Sequence, residues 1–196
     1  RSDRVCVVKP FSGDRLEIMS VFHKPAPACN YAQTPSQAAL ALAAQDGIQS
    51  HDIASIRVKC SAAAVAYPGC NSAGPFERIL QAKMSIQYCV AATLVRGKIE
   101  EGNYRLLSDP EVMRLVGATT VEADTALTAE YPRLQGAEVV VTLRDGQARR
   151  RSLPDVVAAT PVEIRERFKS ASEKMLGPRA TNTIEGMIDG LERQED

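Results

Sequence analysis

The chain has 196 residues, of which 44% are apolar and 24% charged, and this composition excludes a disordered chain and a collagen-like repeat. Its 24 basic and 24 acidic residues cancel, so the positive charge typical of nucleic-acid-binding proteins is absent. No apolar run approaches the ~18 residues needed to cross a bilayer. We therefore expect neither a nucleic acid nor a membrane as a partner.

The cysteines and histidines give little support for a metal site or a disulfide framework. There are five cysteines and two histidines, all irregularly spaced. This pattern favours a reduced, cytoplasmic setting without metal ligands. The first residue is Arg1, and no signal peptide follows it. We expect a fragment, a processed product or a shortened form.

The first half of the chain predicts two strands and two long helices. A mixed apolar segment over residues 16–22 predicts a strand that ends at two prolines. The capping-box pattern over residues 34–37 opens an Ala-rich helix that continues to about residue 45. Ile56, Val58 and Cys60 alternate with charged residues and predict a half-buried strand. A second helix is predicted over residues 75–95, with Gly97 as its stop. Its apolar stripe is formed by Phe76, Leu80, Met84, Ala91 and Leu94.

The second half predicts a hairpin and further helices. A capping signal over residues 108–111 starts a short helix that ends near residue 117. Residues 137–144 alternate as a strand, Asp145-Gly146 indicates a type I′ turn, and residues 147–152 return as its partner strand. A third capping box, over residues 160–163, opens a helix that Gly177-Pro178 ends. The last helix carries an apolar stripe, which consists of Ile184, Met187, Ile188 and Leu191.

This order of elements predicts an α+β fold in two layers, with an antiparallel hairpin and crossover helices, followed by a helical tail. We place the small α+β domain over residues 11–155 and the carboxy-terminal helices over residues 160–196. The exposed stripe of the last helix must be covered, either by the α+β body or by a second chain. We expect a homodimer with this helix in or near the interface.

The sequence contains no glycine-rich nucleotide motif, no serine-hydrolase elbow and no zinc-protease motif, and two local clusters remain as candidate sites. The first surrounds Lys24 and Cys29, between a strand end and a helix start, where a lysine would suit a carboxylate ligand. The alternative is a proline-stiffened connector with a solvated lysine. Cys29 lacks an evident base, so we expect it to be a small buried residue rather than a nucleophile.

The second cluster is Ala82-Lys83-Met84-Ser85-Ile86-Gln87-Tyr88, inside the second predicted helix. Helical spacing places Ser85 and Tyr88 on one face and Lys83 and Gln87 on another. Tyr88 is a candidate general acid or carboxylate ligand. The alternative, which the residues alone favour, is a core aromatic with its hydroxyl at the rim.

Together the clusters resemble the 2-methylcitrate dehydratase (MmgE/PrpD) family. Residues 23–29 resemble its K-P-x-x-x-C motif, and residues 82–88 resemble its A-K-x-S-x-x-Y helix. Asp109-Pro110-Glu111-Val112, Tyr131-Pro132 and residues 139–146 follow in the order and spacing of the family. The resemblance covers the chain from about residue 11 to its end and implies the carboxy-terminal part of a protein about twice as long. An amino-terminal helical domain would be absent from this chain and could be a separate partner.

The resemblance implies a lyase or isomerase that acts on a small di- or tricarboxylate and uses neither a metal nor another cofactor. Dehydration, decarboxylation and epimerisation all occur in the family. Lys24 and Tyr88 match residues of its cleft, and we expect them to be catalytic and to approach each other. The expected substrate-binding residues are Lys83, Ser85, Gln33 and Cys29. Gln33 stands where many members carry His and cannot titrate near neutral pH.

A second class of function stays open, namely a non-catalytic binding or assembly module that keeps the family fold. Gln33 and the absence of the amino-terminal domain favour it. In either case we expect the isolated chain to turn over no polycarboxylate at a useful rate, because catalytic groups that act as a unit lose most of their effect when some are missing.

Overall fold

The computed structural model describes residue 18 and residues 21–45, 47–105 and 107–193. The strand predicted over residues 16–22 lies largely outside these residues, and Val21 and Phe22, which are described, form no strand. None of the described helices is both long and apolar enough to cross a membrane.

In the described part of the chain, four strands form one mixed sheet. They are β1 (Ile53–Cys60), β2 (Thr119–Ala123), β3 (Ala137–Leu143) and β4 (Ala148–Leu153). The strand order is β2-β1-β3-β4, with β1 parallel to β2 and with antiparallel pairs between β1 and β3 and between β3 and β4. The predicted hairpin is thus confirmed, and the sheet also contains a parallel crossover.

The alternation predicted for β1 is confirmed. Ile56, Val58 and Cys60 are buried, while Arg57 on the other face is exposed. Burial of one such aliphatic side chain contributes about 1.5–3 kcal/mol before ordering costs. The opposite face is polar and carries ion pairs such as that between Lys59 and Glu138, at 3.5 Å. Within the described residues, helices therefore cover one face of the sheet and leave the other polar.

Seven helices of the described chain complete the fold. They are α1 (Gln33–Gln45), α2 (Ala62–Ala66), α3 (Ile79–Met84), α4 (Ile86–Arg96), α5 (Pro110–Gly117), α6 (Thr125–Glu130) and α7 (Pro161–Asp189). α1 packs against β3, β4 and α4, and α4 also contacts α5 and β2. These contacts form a helical layer beside the sheet, which confirms the α+β fold.

The start of α1 differs from the prediction. A short 3-10 turn over Asn30–Ala32 leads directly into Gln33. The Thr34 hydroxyl donates to the distant carbonyl of Gln135, at 2.6 Å, instead of capping the helix. The predicted capping box is wrong because α1 begins at Gln33, so Thr34 already lies inside the helix.

The helix predicted over residues 75–95 is two helices. Ser85 has extended backbone (φ −72°, ψ 121°) between α3 and α4, and its hydroxyl oxygen accepts the N–H of Tyr88 at 3.0 Å as an N-cap. The predicted stripe is also wrong in part. Phe76 is buried but precedes α3, and Leu80 is 68% exposed. Gly97 ends α4 in the left-handed conformation (φ 63°), as predicted.

The turn of the hairpin has a different geometry from the predicted type I′ turn. The N–H of Gly146 donates to the carbonyl of Leu143 at 3.0 Å, so Arg144 and Asp145 stand at the centre of the turn. Gly146 follows with φ 85°. A three-residue loop with glycine in the left-handed region is the next commonest way to close a hairpin.

The start and the internal break of the tail are confirmed. Thr160 and Glu163 form the capping box of α7. The backbone of Gly177 is non-helical (φ 78°, ψ 162°) and divides α7 into two helices. Arg165 on the first of them pairs with Glu185 and Asp189 on the second, at 3.0 and 2.6 Å. The two helices therefore run back against each other as a hairpin.

Candidate functional site

The loop that contains Lys24 and Cys29 is held in place by Gln33. Gln33 is 1% exposed, and its side-chain oxygen accepts the N–H of Ala26 at 2.8 Å. Its amide nitrogen lies 3.0 Å from each of three carbonyl oxygens, those of Ala26, Ala28 and Cys29. A glutamine suits this position because it presents an acceptor and a donor together. Direct substrate binding by Gln33 stays a prediction, and it would require some of these bonds to break.

Beside this loop lies a cavity of about 490 Å³. It is lined by Lys24, Ala26, Pro27, Ala28, Cys29, Leu80, Lys83, Met84 and Arg167. The cavity thus brings together three residues that were predicted for the site, namely Lys24, Cys29 and Lys83. The N–H of Cys29 donates to the carbonyl of Lys83 at 2.8 Å, which joins the loop to the end of α3.

Lys24 is the cavity cation whose charge is least compensated. Its ammonium lies 3.4 Å from the carbonyl of Ala28, and within the described part of the chain no carboxylate lies within 4.0 Å of it. Lys83 differs, since its ammonium binds both carboxylate oxygens of Glu101 at 2.7 and 2.9 Å. An incoming anion therefore meets a positive charge without a carboxylate partner at Lys24 and one already paired with Glu101 at Lys83.

Arg167 is a cavity residue that the sequence analysis missed. It lies on α7, and its guanidinium donates to the carbonyl of Lys24 at 2.6 Å and to that of Pro25 at 3.3 Å. These bonds attach the tail to the loop and place a third cation at the cavity. No local signal marks this arginine, because 143 residues separate it from Lys24.

Cys29 is partly exposed and carries a perturbed thiol, contrary to the prediction of a small buried residue. Its sulfur lies 3.6 Å from that of Cys70. The pKa of Cys29 is lowered to about 6, chiefly because the Cys70 thiol donates to its sulfur. The N–H groups of Tyr31 and Asn30 and the charge of Lys24 lower the pKa further, while burial opposes them. At neutral pH the cavity therefore contains a thiolate.

Ser85, which was predicted to bind substrate, is fully buried at the junction of α3 and α4. Its hydroxyl donates to the carbonyl of Ser72 at 2.6 Å and caps α4 at the same time. Gln87 holds the same loop, because its side chain binds Asn71 and the N–H of Ser72. The α3–α4 break also places Lys83 and Gln87 in different helices, so the predicted shared face is wrong.

Tyr88 is placed in the core and not on the cavity wall. It is 0% exposed, and its hydroxyl donates to the carbonyl of Asn103 at 2.9 Å. Burial raises its pKa to about 12. Its ring packs edge-on against Phe76 at 5.1 Å, and Tyr88 is not among the residues that line the cavity, so its approach to Lys24 on one concave surface stays a prediction. A catalytic role for Tyr88 stays a prediction.

Tyr88 is connected to the cavity through one further ring. It stacks on Tyr104 at a centroid distance of 6.1 Å, and the Lys83 ammonium lies 5.5 Å from the centre of the Tyr104 ring. The Tyr88 ring thus packs against the Tyr104 ring that the Lys83 ammonium contacts. Among the residues that the structure describes, no three His, Cys, Asp or Glu side chains lie close enough together to hold a metal ion.

Comparison with known families finds one match over most of the chain. Residues 26–192 match the family described as the MmgE/PrpD C-terminal domain. The chain belongs to this family. The match includes the whole second motif and residues 26–29 of the first, whereas Lys24 and Pro25 lie just before it. A search among curated proteins returned no match.

Three tyrosines of this MmgE/PrpD domain form a cluster next to Cys29. The hydroxyls of Tyr31 and Tyr131 share a hydrogen bond of 2.8 Å, and the Tyr31 ring packs against that of Tyr67 at 5.3 Å. The hydrogen bond from Tyr131 raises the pKa of Tyr31 to about 12. The Tyr31 hydroxyl therefore stays protonated at neutral pH and can donate, which makes it a further candidate for contact with an anion.

Proposed function

We propose that this domain provides part of the binding site of a lyase or isomerase of the 2-methylcitrate dehydratase type, which acts on a small di- or tricarboxylate without a metal. The observation that carries the proposal is the charge of the cavity. Lys24 has no carboxylate partner among the described residues, and Lys83 and Arg167 lie beside it. An ammonium group that forms a charge-assisted bond to a carboxylate stabilises the complex by about 1.5–3 kcal/mol.

The chemistry of such a substrate explains the need for a cation here. Removal of a proton next to a carboxylate builds negative charge on the carboxylate oxygens. A lysine held at that position stabilises the charge as it develops, and this stabilisation lowers the barrier. In this proposal Lys24 is the catalytic cation and Arg167 binds a second carboxylate, with Lys83, which is paired with Glu101, beside it. Tyr88 acts through Tyr104 and Lys83 and so positions the site.

The alternative is a non-catalytic binding or assembly module. The specific observation in its favour is the shortage of bases at the cavity, where Cys29 is the ionised group with a pKa near neutrality. His23 and His51 are not among the lining residues. Catalysis would then require a base from an amino-terminal helical domain, which we propose as a partner.

A turnover assay separates the two functions. The chain is incubated with 2-methylcitrate or cis-aconitate, alone and with the amino-terminal helical domain of a family member, and the products are measured. We expect no turnover by the chain alone and turnover with the added domain. Lys24→Met should abolish the activity of the mixture, while Lys174→Met, an exposed lysine away from the cavity, should leave it unchanged. Substrate binding without turnover in the mixture would favour the binding module.

We also propose that the exposed stripe of the tail is an interface, in a homodimer or with the helical domain. Met187, Ile188 and Leu191 are 58%, 55% and 62% exposed, so the α+β body does not cover them. Burial of each side chain is worth about 1.5–3 kcal/mol. Light scattering on the wild type and on Ile188→Asp tests the dimer. We expect a dimer that the substitution weakens, and a monomer for both would contradict the homodimer.

A further inference from the structure

Two cysteines from distant parts of the chain meet at the wall of the cavity. The sulfurs of Cys29 and Cys70 lie 3.6 Å apart, and both are free thiols. Cys29 is partly exposed and lines the cavity, whereas Cys70 is 0% exposed and lies behind it. A small reagent can therefore reach Cys29 from the cavity, and Cys70 is its immediate neighbour.

The backbone holds this pair in place without a ligand. The N–H of Cys29 donates to the carbonyl of Lys83 at 2.8 Å, and the carbonyl of Cys70 accepts the N–H of Ile86 at 2.9 Å. Both cysteines are thus attached to the junction of α3 and α4, which is fixed by the buried cap at Ser85. A disulfide needs the sulfurs at about 2.05 Å, so they must approach by about 1.5 Å. Small rotations of the two side chains can supply this.

The two thiols differ in pKa, so that one is ionised and the other protonated at neutral pH. The pKa of Cys29 is lowered to about 6, while the hydrogen bond to Cys29 and burial raise the pKa of Cys70 far above its usual value. At neutral pH the accessible member is therefore the thiolate, and the hidden member keeps its proton. A thiolate is the form that attacks an oxidant, and a neighbouring thiol can resolve the product.

We infer that Cys29 and Cys70 form a peroxide-sensitive dithiol that closes to a reversible disulfide at the cavity wall. The Cys29 thiolate attacks the O–O bond of a hydroperoxide and becomes a sulfenic acid, and the leaving oxygen takes a proton and departs as water or an alcohol. The sulfur of Cys70 then attacks the sulfur of Cys29 and loses its proton, and the hydroxyl departs as water. Two electrons pass from the two thiols to the peroxide.

Closure of the disulfide would alter the proposed binding site without being part of its chemistry. It removes the negative charge of Cys29 next to Lys24, and it fixes the loop over residues 24–29 to the segment that carries Cys70. The inference does not depend on the identity of the substrate, because it concerns the two thiols and hydrogen peroxide alone.

The experiment is a titration of the folded chain with hydrogen peroxide, followed by mass mapping of its cysteine peptides. We expect loss of two hydrogens, a linked peptide that contains Cys29 and Cys70, and full recovery of both thiols with a dithiol reductant. Cys29 should react at least about tenfold faster than Cys60 and Cys89, which are buried and un-ionised.

Two variants serve as matched controls. Cys70→Ser should stop at the sulfenic acid of Cys29, which a dimedone probe traps, and no linked peptide should form. Cys60→Ser should give the same linked peptide as the wild type. A first reaction at another cysteine, a disulfide between two chains, or oxidation of wild-type Cys29 to sulfinic acid without a disulfide would each overturn the inference.

Discussion

The loop over residues 24–29 and the junction of α3 and α4 lie side by side, yet their polar groups are used in opposite ways. At the junction, Ser85, Gln87 and Tyr88 are buried and bind protein groups. In the loop, Lys24 and Cys29 direct charge toward the cavity. The second motif therefore mainly holds the fold together and the first lines the cavity, although their sequences suggested two catalytic clusters.

The largest expected effect is on stability, at Tyr88. Tyr88→Ala should lower the free energy of unfolding by about 3–5 kcal/mol, because a fully buried ring is lost and a cavity remains. Tyr88→Phe should cost only about 0.5–1.5 kcal/mol, since it removes the bond to Asn103 and keeps the ring. Urea unfolding measures both, with Tyr67→Ala as an aromatic control that is 48% exposed. Equal losses of unfolding free energy for Tyr88→Ala and Tyr67→Ala would contradict the assignment of Tyr88 to the buried core.

Gln33 should show the next largest effect on stability, because its buried side chain holds the loop over residues 24–29 in place. Gln33→Leu leaves the buried N–H of Ala26 without its side-chain acceptor and removes the side-chain amide donor from three carbonyls. We expect a loss of about 2–3 kcal/mol in urea unfolding. Gln49→Leu is the matched control, since the Gln49 side chain is exposed and should change the stability by less than about 0.5 kcal/mol.

Cys29 should show a smaller, pH-dependent effect. The alkylation rate of its thiol should have a midpoint near pH 6, well below that of a free thiol. Because the folded pKa lies below the unfolded value of 9.0, ionisation stabilises the fold fully above pH 9 and progressively less as the pH falls toward 6.

Two comparisons sharpen this prediction. The stability advantage of the wild type over Cys29→Ser should increase from pH 6 to pH 9, as measured by urea unfolding at both values. Lys24→Met should move the alkylation midpoint upward, and the shift should be small because the Lys24 charge ranks below the Cys70 hydrogen bond among the causes. An alkylation midpoint near that of a free thiol would show that Cys29 is not activated.

Much of the fold could be predicted from local patterns. The period-two alternation of β1, the cap at Asp109 and the break at Gly177 depend on neighbouring residues, and all three are found in the structure. Local reasoning failed at Thr34 and Ser85, whose hydroxyls donate to Gln135 and Ser72, 101 and 13 residues away. A sequence does not show which hydroxyl serves a tertiary contact, nor that Ser85 also caps a second helix.

The site was predicted less completely than the fold for the same reason. Lys24, Cys29 and Lys83 were found because their motifs resemble a family, and the cavity does bring them together. The activation of Cys29 depends on Cys70, and Arg167 reaches the loop from the tail. Neither contact can be predicted from local sequence, because its partners are far apart in the chain. The burial of Tyr88 could not be read from its helical spacing, because a helical face does not show whether it points to a cavity or to the core.

The central claim is that Lys24, and not the buried side chains at the junction of α3 and α4, binds a polycarboxylate. Isothermal titration calorimetry with cis-aconitate on the wild type, Lys24→Met and Lys174→Met tests this most directly. We predict that Lys24→Met raises the Kd at least about tenfold, or about 1.4 kcal/mol, with unchanged unfolding free energy, and that Lys174→Met leaves the Kd unchanged. Equal affinities for the wild type and Lys24→Met would contradict the account.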